Sequence, residues 1–200
     1  MGELREIRWT WQSKDSNMRN GYLAMDGRMT VAELIEKMAE IAPGVGLDEM
    51  IGKIRPSQPE LLALIRRLAE GLRVAHDLGA IHRDISPDNI FVTDAGEPIL
   101  IDFGAARQTL STDQPMLKPM YTPGFASPEH YGSRKDLGPW SDIYSVGASM
   151  YACLAGSAPP PANDRLKKDT LQPAMLRWDG QYSDRLLEII DWCLNLNHLY

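Results

Sequence analysis

His82-Arg83-Asp84-Ile85-Ser86-Pro87-Asp88-Asn89, followed downstream by Asp102-Phe103-Gly104, is the stretch on which the reading of this chain turns. Between the two clusters lie Ile90-Phe91-Val92-Thr93, a β-favouring run, then Asp94-Ala95-Gly96-Glu97, a turn, then a second run, Pro98-Ile99-Leu100-Ile101. Two short apolar runs around a Gly-containing turn predict a β-hairpin. A hairpin returns the chain to its starting edge, so Asn89 before it and Asp102 after it are expected to converge. Two oxygen-bearing side chains at one strand mouth suit Mg²⁺, a hard cation that leaves coordination positions open for phosphate oxygens. Asp84 sits beside them as a carboxylate able to accept a proton.

These clusters resemble the signature of the protein kinase family, H-R-D-x-x-x-x-N followed by D-F-G. The resemblance continues in Thr122-Pro123-Gly124-Phe125-Ala126-Ser127-Pro128-Glu129, which looks like the end of an activation segment, with Ser127-Pro128-Glu129 where the family usually has A-P-E. Trp140-Ser141-Asp142-Ile143-Tyr144-Ser145-Val146-Gly147 is similar to the start of the central helix of the family's C-lobe. A lone D-F-G arises readily by chance, whereas four motifs in family order do not. The resemblance implies an α+β, protein-kinase-like fold. Its expected form is a mostly helical C-lobe with a small β-hairpin, the N-lobe being largely missing.

Working outward, Pro59 followed by Leu61, Leu64, Ile65, Leu68, Leu72 and Ala75 predicts an amphipathic helix over 59–78, closed by Gly79. It resembles the helix that delivers the catalytic loop. Residues 105–126 have no periodicity and read as a surface loop; 141–155 read as a helix, Ala158–Asp164 with its consecutive prolines as a loop, and Tyr182–Leu196 as a last amphipathic helix. Towards the start, Arg8–Trp11 and Tyr22–Met25 are candidate strands. Val31–Ile41 has helical spacing, ended by Pro43-Gly44. In the terms of the resemblance, residues 1–57 hold a remnant of the N-lobe, the hinge (Asp26-Gly27) and a first helix, and 58–200 are the C-lobe, truncated before its last helix. No G-x-G-x-x-G loop occurs, and neither Lys14 nor Lys37 has a strand context. The nucleotide cover and lysine–glutamate pair of the family are therefore not identifiable.

Composition bounds the rest. With 44% hydrophobic and 24% charged residues the chain is ordinarily globular. A net charge of −6 argues against nucleic acid or an anionic membrane surface as partner. Cys153 and Cys193 lie in apolar helical surroundings and read as reduced thiols of a cytoplasmic protein. The most apolar stretch, Tyr144–Gly156, is too short to span a bilayer, and the charged start Met1–Glu6 does not read as a signal peptide.

The resemblance assigns roles residue by residue. Asp84 is the expected catalytic base, and Asn89 and Asp102 the Mg²⁺ ligands. Phe91 contributes to the floor of the adenine pocket. Thr122 hydrogen-bonds the catalytic aspartate, which favours Ser/Thr over Tyr specificity. His82 and Phe103 pack the two loops in register, and Asp142 receives backbone N–H groups of the catalytic loop. Arg83 pairs with a phosphorylated segment, for which Thr109, Ser111, Thr112 and Thr122 are candidate sites; Lys118 stands where some relatives carry the phosphorylated threonine. Ser86 is the departure: the family usually has lysine there, and losing that charge costs on the order of 2–4 kcal/mol in the transition state if nothing replaces it.

The implied activity is transfer of the ATP γ-phosphate to a protein hydroxyl, with ATP and Mg²⁺ as cofactors and a protein as substrate, in a bacterial-type Ser/Thr kinase domain present as a fragment. The missing N-lobe, or a regulatory partner, completes it. A catalytically inactive pseudokinase or scaffold is the alternative, favoured by Ser86 and the absent lysine but not by the intact Asp84, Asn89 and Asp102. A small-molecule phosphotransferase of the aminoglycoside type usually reads H-G-D, which Arg83 and Ser127-Pro128-Glu129 oppose.

Overall fold

In the computed structural model, residues 44–53, 55–101, 121–132 and 136–197 are described. Among them the expected hairpin forms as β2 (Ile90–Thr93) and β3 (Pro98–Leu100), with Val92 opposite Pro98 and Ile90 opposite Leu100. Gly96 closes the turn at φ +79°, a left-handed conformation that glycine adopts without steric cost. Its N–H donates to the Thr93 carbonyl at 2.8 Å.

The sequence does not announce the strand that pairs with β2 on its other side. Gly44–Gly46 forms β1, antiparallel to β2, with Gly44 opposite Thr93 and Gly46 opposite Phe91. The order is therefore β1-β2-β3. A Cβ on Gly44 would lie 2.2 Å from the Val92 carbonyl oxygen, so only glycine lets this strand approach so closely. The short α1 (Leu47–Met50) follows directly and buries Leu47. The expected elements before residue 44 lie outside the described residues.

Helix α2 (Gln58–Asp77) is the predicted amphipathic helix, burying Leu61, Leu68 and Leu72. Glu60 reaches back to the Ser57 N–H at 2.8 Å, half of a capping box. At the other end the Gly79 N–H donates to the His76 carbonyl and the Ala80 N–H to the Ala75 carbonyl, both at 2.9 Å. This pair is the Schellman arrangement, with Gly79 left-handed at φ +75°.

Helix α3 (Pro139–Ala155) is the centre of the core, buried on all sides from Ser141 to Leu154 except at Ile143. Its helical serines return their hydroxyls to their own backbone, Ser145 to Ser141 at 3.0 Å and Ser149 to Ser145 at 2.9 Å. Three helices complete the lobe: α4 (Ala162–Arg165), α5 (Ala174–Arg177) and α6 (Asp184–Cys193). The predicted loop 158–164 thus ends inside a helical turn, and the last helix is shorter at both ends than expected. Two side chains join these pieces. Arg165, 6% exposed, donates to the Tyr144 hydroxyl, the Leu194 carbonyl and the Asp169 carboxylate. Asp191 on α6 accepts the Ala174 and Met175 N–H groups and so caps α5.

Candidate active site

The loop 82–89 runs from α2 to β2 and hangs from one buried carboxylate. Asp142, in the first turn of α3, is fully enclosed. Its Oδ2 accepts the His82 N–H and its Oδ1 the Arg83 N–H, each at 2.9 Å. His76, from the last turn of α2, donates its Nε2–H to Oδ2 at 2.7 Å. A buried carboxylate needs such compensation, and three donors from two elements supply it. Arg83 adopts φ +73°, alone among the described non-glycine residues in having a positive φ, and its N–H bond to Asp142 helps to hold it there.

His82, also enclosed, joins this loop to the end of the hairpin through its Nε2–H, which donates to the Ile101 carbonyl at 3.0 Å. The Ile101 N–H in turn donates to the Asn89 carbonyl at 2.9 Å. The two mouths of the hairpin are therefore tied as far as Ile101. Asp102 and Phe103, and the candidate phosphosites Thr109, Ser111 and Thr112, lie outside the described residues. Asn89 ends a short 3-10 turn (Pro87–Asn89). Its Nδ2 donates to the Asp84 carbonyl at 2.8 Å, which leaves the amide oxygen available as a ligand atom.

The second face of the site is the segment 121–131. Thr122-Pro123-Gly124-Phe125 is a turn with proline second and a left-handed glycine third (φ +92°), closed by the Phe125 N–H on the Thr122 carbonyl at 3.1 Å. Both the N–H and the hydroxyl of Thr122 donate to Asp84 Oδ1 at 2.9 Å. Asp84 Oδ2 has no hydrogen-bond partner among the described residues. One oxygen is thus immobilised while the other can accept a proton.

Two of the expected site residues sit less openly. Phe91 is half-buried, opposite Gly46 and Ile99 in the sheet. Ser86 is fully buried, and its hydroxyl has no partner among the described residues. Sequence reasoning overlooked two histidines, His76 and His130. The former could have been read from its place in the last turn of a helix, and the latter from the Ser127-x-x-His130 spacing at a turn start.

The fold and the loop geometry define a chain with a protein kinase catalytic loop, and the comparisons with known proteins agree. Residues 25–199 match the protein kinase domain family, and the chain belongs to that family. The serine/threonine-protein kinase STE20 of Candida glabrata is 31% identical over 202 residues, covering 97% of this chain and 21% of the yeast protein. The serine/threonine-protein kinase PknL of Mycobacterium tuberculosis is 35% identical over 138 residues, covering 67% of this chain and 33% of its own length. A solved structure, "PpkA-294 apo form", superposes with a TM-score of 0.64 at 31% identity, over 79% of this chain and 56% of that one. The chain therefore spans a third or less of these curated relatives.

Proposed function

We propose that this chain carries the catalytic loop of an ATP-dependent Ser/Thr protein kinase, which moves the γ-phosphate of ATP to a protein hydroxyl. The observation that supports it best is the state of Asp84. Thr122 holds one carboxylate oxygen by two hydrogen bonds of 2.9 Å, so the other is aimed by a fixed group. Phosphoryl transfer asks chiefly for positioning, and a carboxylate oriented in this way can receive the proton of an attacking hydroxyl.

Asn89 and Asp102 are the proposed Mg²⁺ ligands. Asn89 fits, because its nitrogen is committed to the Asp84 carbonyl at 2.8 Å and its oxygen is not. The bound ion supplies charge neutralisation of the phosphates. Phe91, beside β1, is the proposed floor for the adenine ring. Ser86 is the proposed substitute for the family's lysine at the γ-phosphate. Residues 1–57 are proposed to hold the N-lobe remnant and hinge, and 58–200 the C-lobe. A bacterial, cytoplasmic setting is proposed; mycobacterial serine/threonine-protein kinases are among the relatives that support its bacterial part. No helix among the described residues is long and apolar enough to cross a membrane.

Transfer of labelled phosphate from Mg·ATP to the chain and to a generic protein substrate tests this, with Asp84→Asn and Asp102→Ala as controls. Transfer that both substitutions abolish is the expected result. No transfer by the chain would favour the scaffold reading that the enclosed Ser86 supports.

A further inference from the structure

His130 follows Ser127-Pro128-Glu129 and faces the catalytic loop across the site. Its Nε2 lies 2.6 Å from the Arg83 carbonyl oxygen, which can only accept. Its Nδ1 lies 3.1 Å from the Ser127 backbone nitrogen, which can only donate, and 2.9 Å from the Ser127 hydroxyl. Both ends of the ring are thereby specified. Nε2 carries the hydrogen, Nδ1 carries a lone pair, and the imidazole is neutral.

The bond to Arg83 acts on the one non-glycine residue with positive φ among those described. Asp142 holds the Arg83 N–H and His130 holds its carbonyl, so the peptide entering Asp84 is pinned on both sides. Thr122 and His130 together grip two successive residues of the catalytic loop from a single short segment, Thr122 at the Asp84 carboxylate and His130 at the Arg83 carbonyl.

We propose that His130 is a positioning residue for phosphoryl transfer, a neutral Nε2–H imidazole that latches the end of the 121–131 segment to the catalytic loop and loses its anchor on the Ser127 N–H when the ring is protonated. The proposal rests on the kinase reading of Asp84. A second ring proton would sit on Nδ1, where it meets the Ser127 N–H, so that bond is lost on protonation and the Ser127 hydroxyl has to turn from donor to acceptor. The groups facing the ring are Arg83 of the catalytic loop, Asp142 of α3, Glu129 beside it, and Tyr121, whose ring packs edge-on at 5.8 Å. Burial lowers the His130 pKa from its ordinary value, against the opposing pull of the Arg83 carbonyl, Asp142 and Glu129.

The test uses the full chain with H130Q, whose amide supplies a donor and an acceptor but does not titrate, and H130L, which supplies neither. Ring ¹⁵N shifts, assigned by the signal missing in H130Q, should show the Nε2–H tautomer at pH 7.5 and a midpoint below 6.5. Deuterium uptake at residues 82–89 should be about tenfold faster in H130L, the loss expected for one hydrogen bond, and near the parent rate in H130Q. Phosphate transfer at pH 7.5 should fall about tenfold or more in H130L and be rescued in H130Q, which should also lose the acid limb of the pH profile. An Nδ1–H tautomer, or uptake unchanged in H130L, overturns the latch. If no variant or parent transfers phosphate, the kinase reading of the isolated chain fails, while the ring shifts and deuterium uptake still decide the latch.

Discussion

Asp142 and Ser86 show how differently two enclosed polar side chains can stand. Asp142 accepts three hydrogen bonds, from His76, His82 and Arg83. Asp142→Ala strands two backbone donors of the catalytic loop and should destabilise the fold by several kcal/mol, at roughly 1–3 kcal/mol for each buried group left unpaired. A shift in the midpoint of urea unfolding checks this. Ser86 has no partner for its hydroxyl among the described residues. Removing an unsatisfied buried group relieves its desolvation, so Ser86→Ala should unfold at a higher urea concentration, by about 1 kcal/mol. Folding is then not the reason for any fall in phosphate transfer by that variant, and such a fall would report contact with the nucleotide. Thr122 stands between these cases, because its backbone N–H remains on Asp84 when the hydroxyl is lost. Thr122→Val should cost about tenfold in transfer, the equivalent of one charge-assisted bond of about 1.5 kcal/mol, and Thr122→Ser should restore it.

At the scale of elements, glycine decides how closely the core helices approach. A Cβ on Gly147 of α3 would lie 2.4 Å from the Cys193 Cβ on α6, an atom fixed by its own backbone. Gly147→Ala therefore has to push two helices apart and should destabilise by about 1–3 kcal/mol, read from thermal unfolding. Such contacts are invisible in sequence, since nothing near Gly147 names its partner. The elements that were legible carried their own local signals. The Pro59 start and Gly79 end of α2, the turn before β3 and the apolar run of α3 were each readable from their own residues. β1 was not, because Gly-Val-Gly has little β propensity of its own and forms a strand only because β2 offers an edge that a glycine backbone can approach. The ends of α6 and the turn α4 failed for a related reason. Arg165 and Asp191 set them through distant partners that periodicity cannot show. In the site, Asp84, Asn89 and Thr122 were legible as motif members, whereas His76 and His130 acquire their meaning only once α2, the loop and the 121–131 segment meet.

The molecule as a whole brings these groups together only when folded, so its stability should depend on pH in two separable steps. In the unfolded chain His130 titrates near the ordinary 6.5, while in the fold burial lowers it. Between those two values the unfolded state binds the extra proton. The histidine contribution is therefore fully present above about pH 6.5 and is lost as the pH falls from there through the lower folded value. Asp169 behaves in the same sense at lower pH. The Arg165 guanidinium holds its carboxyl below the ordinary 3.8, and that contribution is lost as the pH falls through the folded value. The urea midpoint should thus decline first below about pH 6.5 and again in the carboxylate range. H130Q removes a titrating ring and retains its partners, so it should abolish the first decline and leave the second. Asp169→Asn should leave the first decline and reduce the second, to which Glu60 at the Ser57 cap also contributes. A first decline that survives in H130Q would show that the step does not belong to His130, and would separate the acid sensitivity of the fold from the latch at the active site.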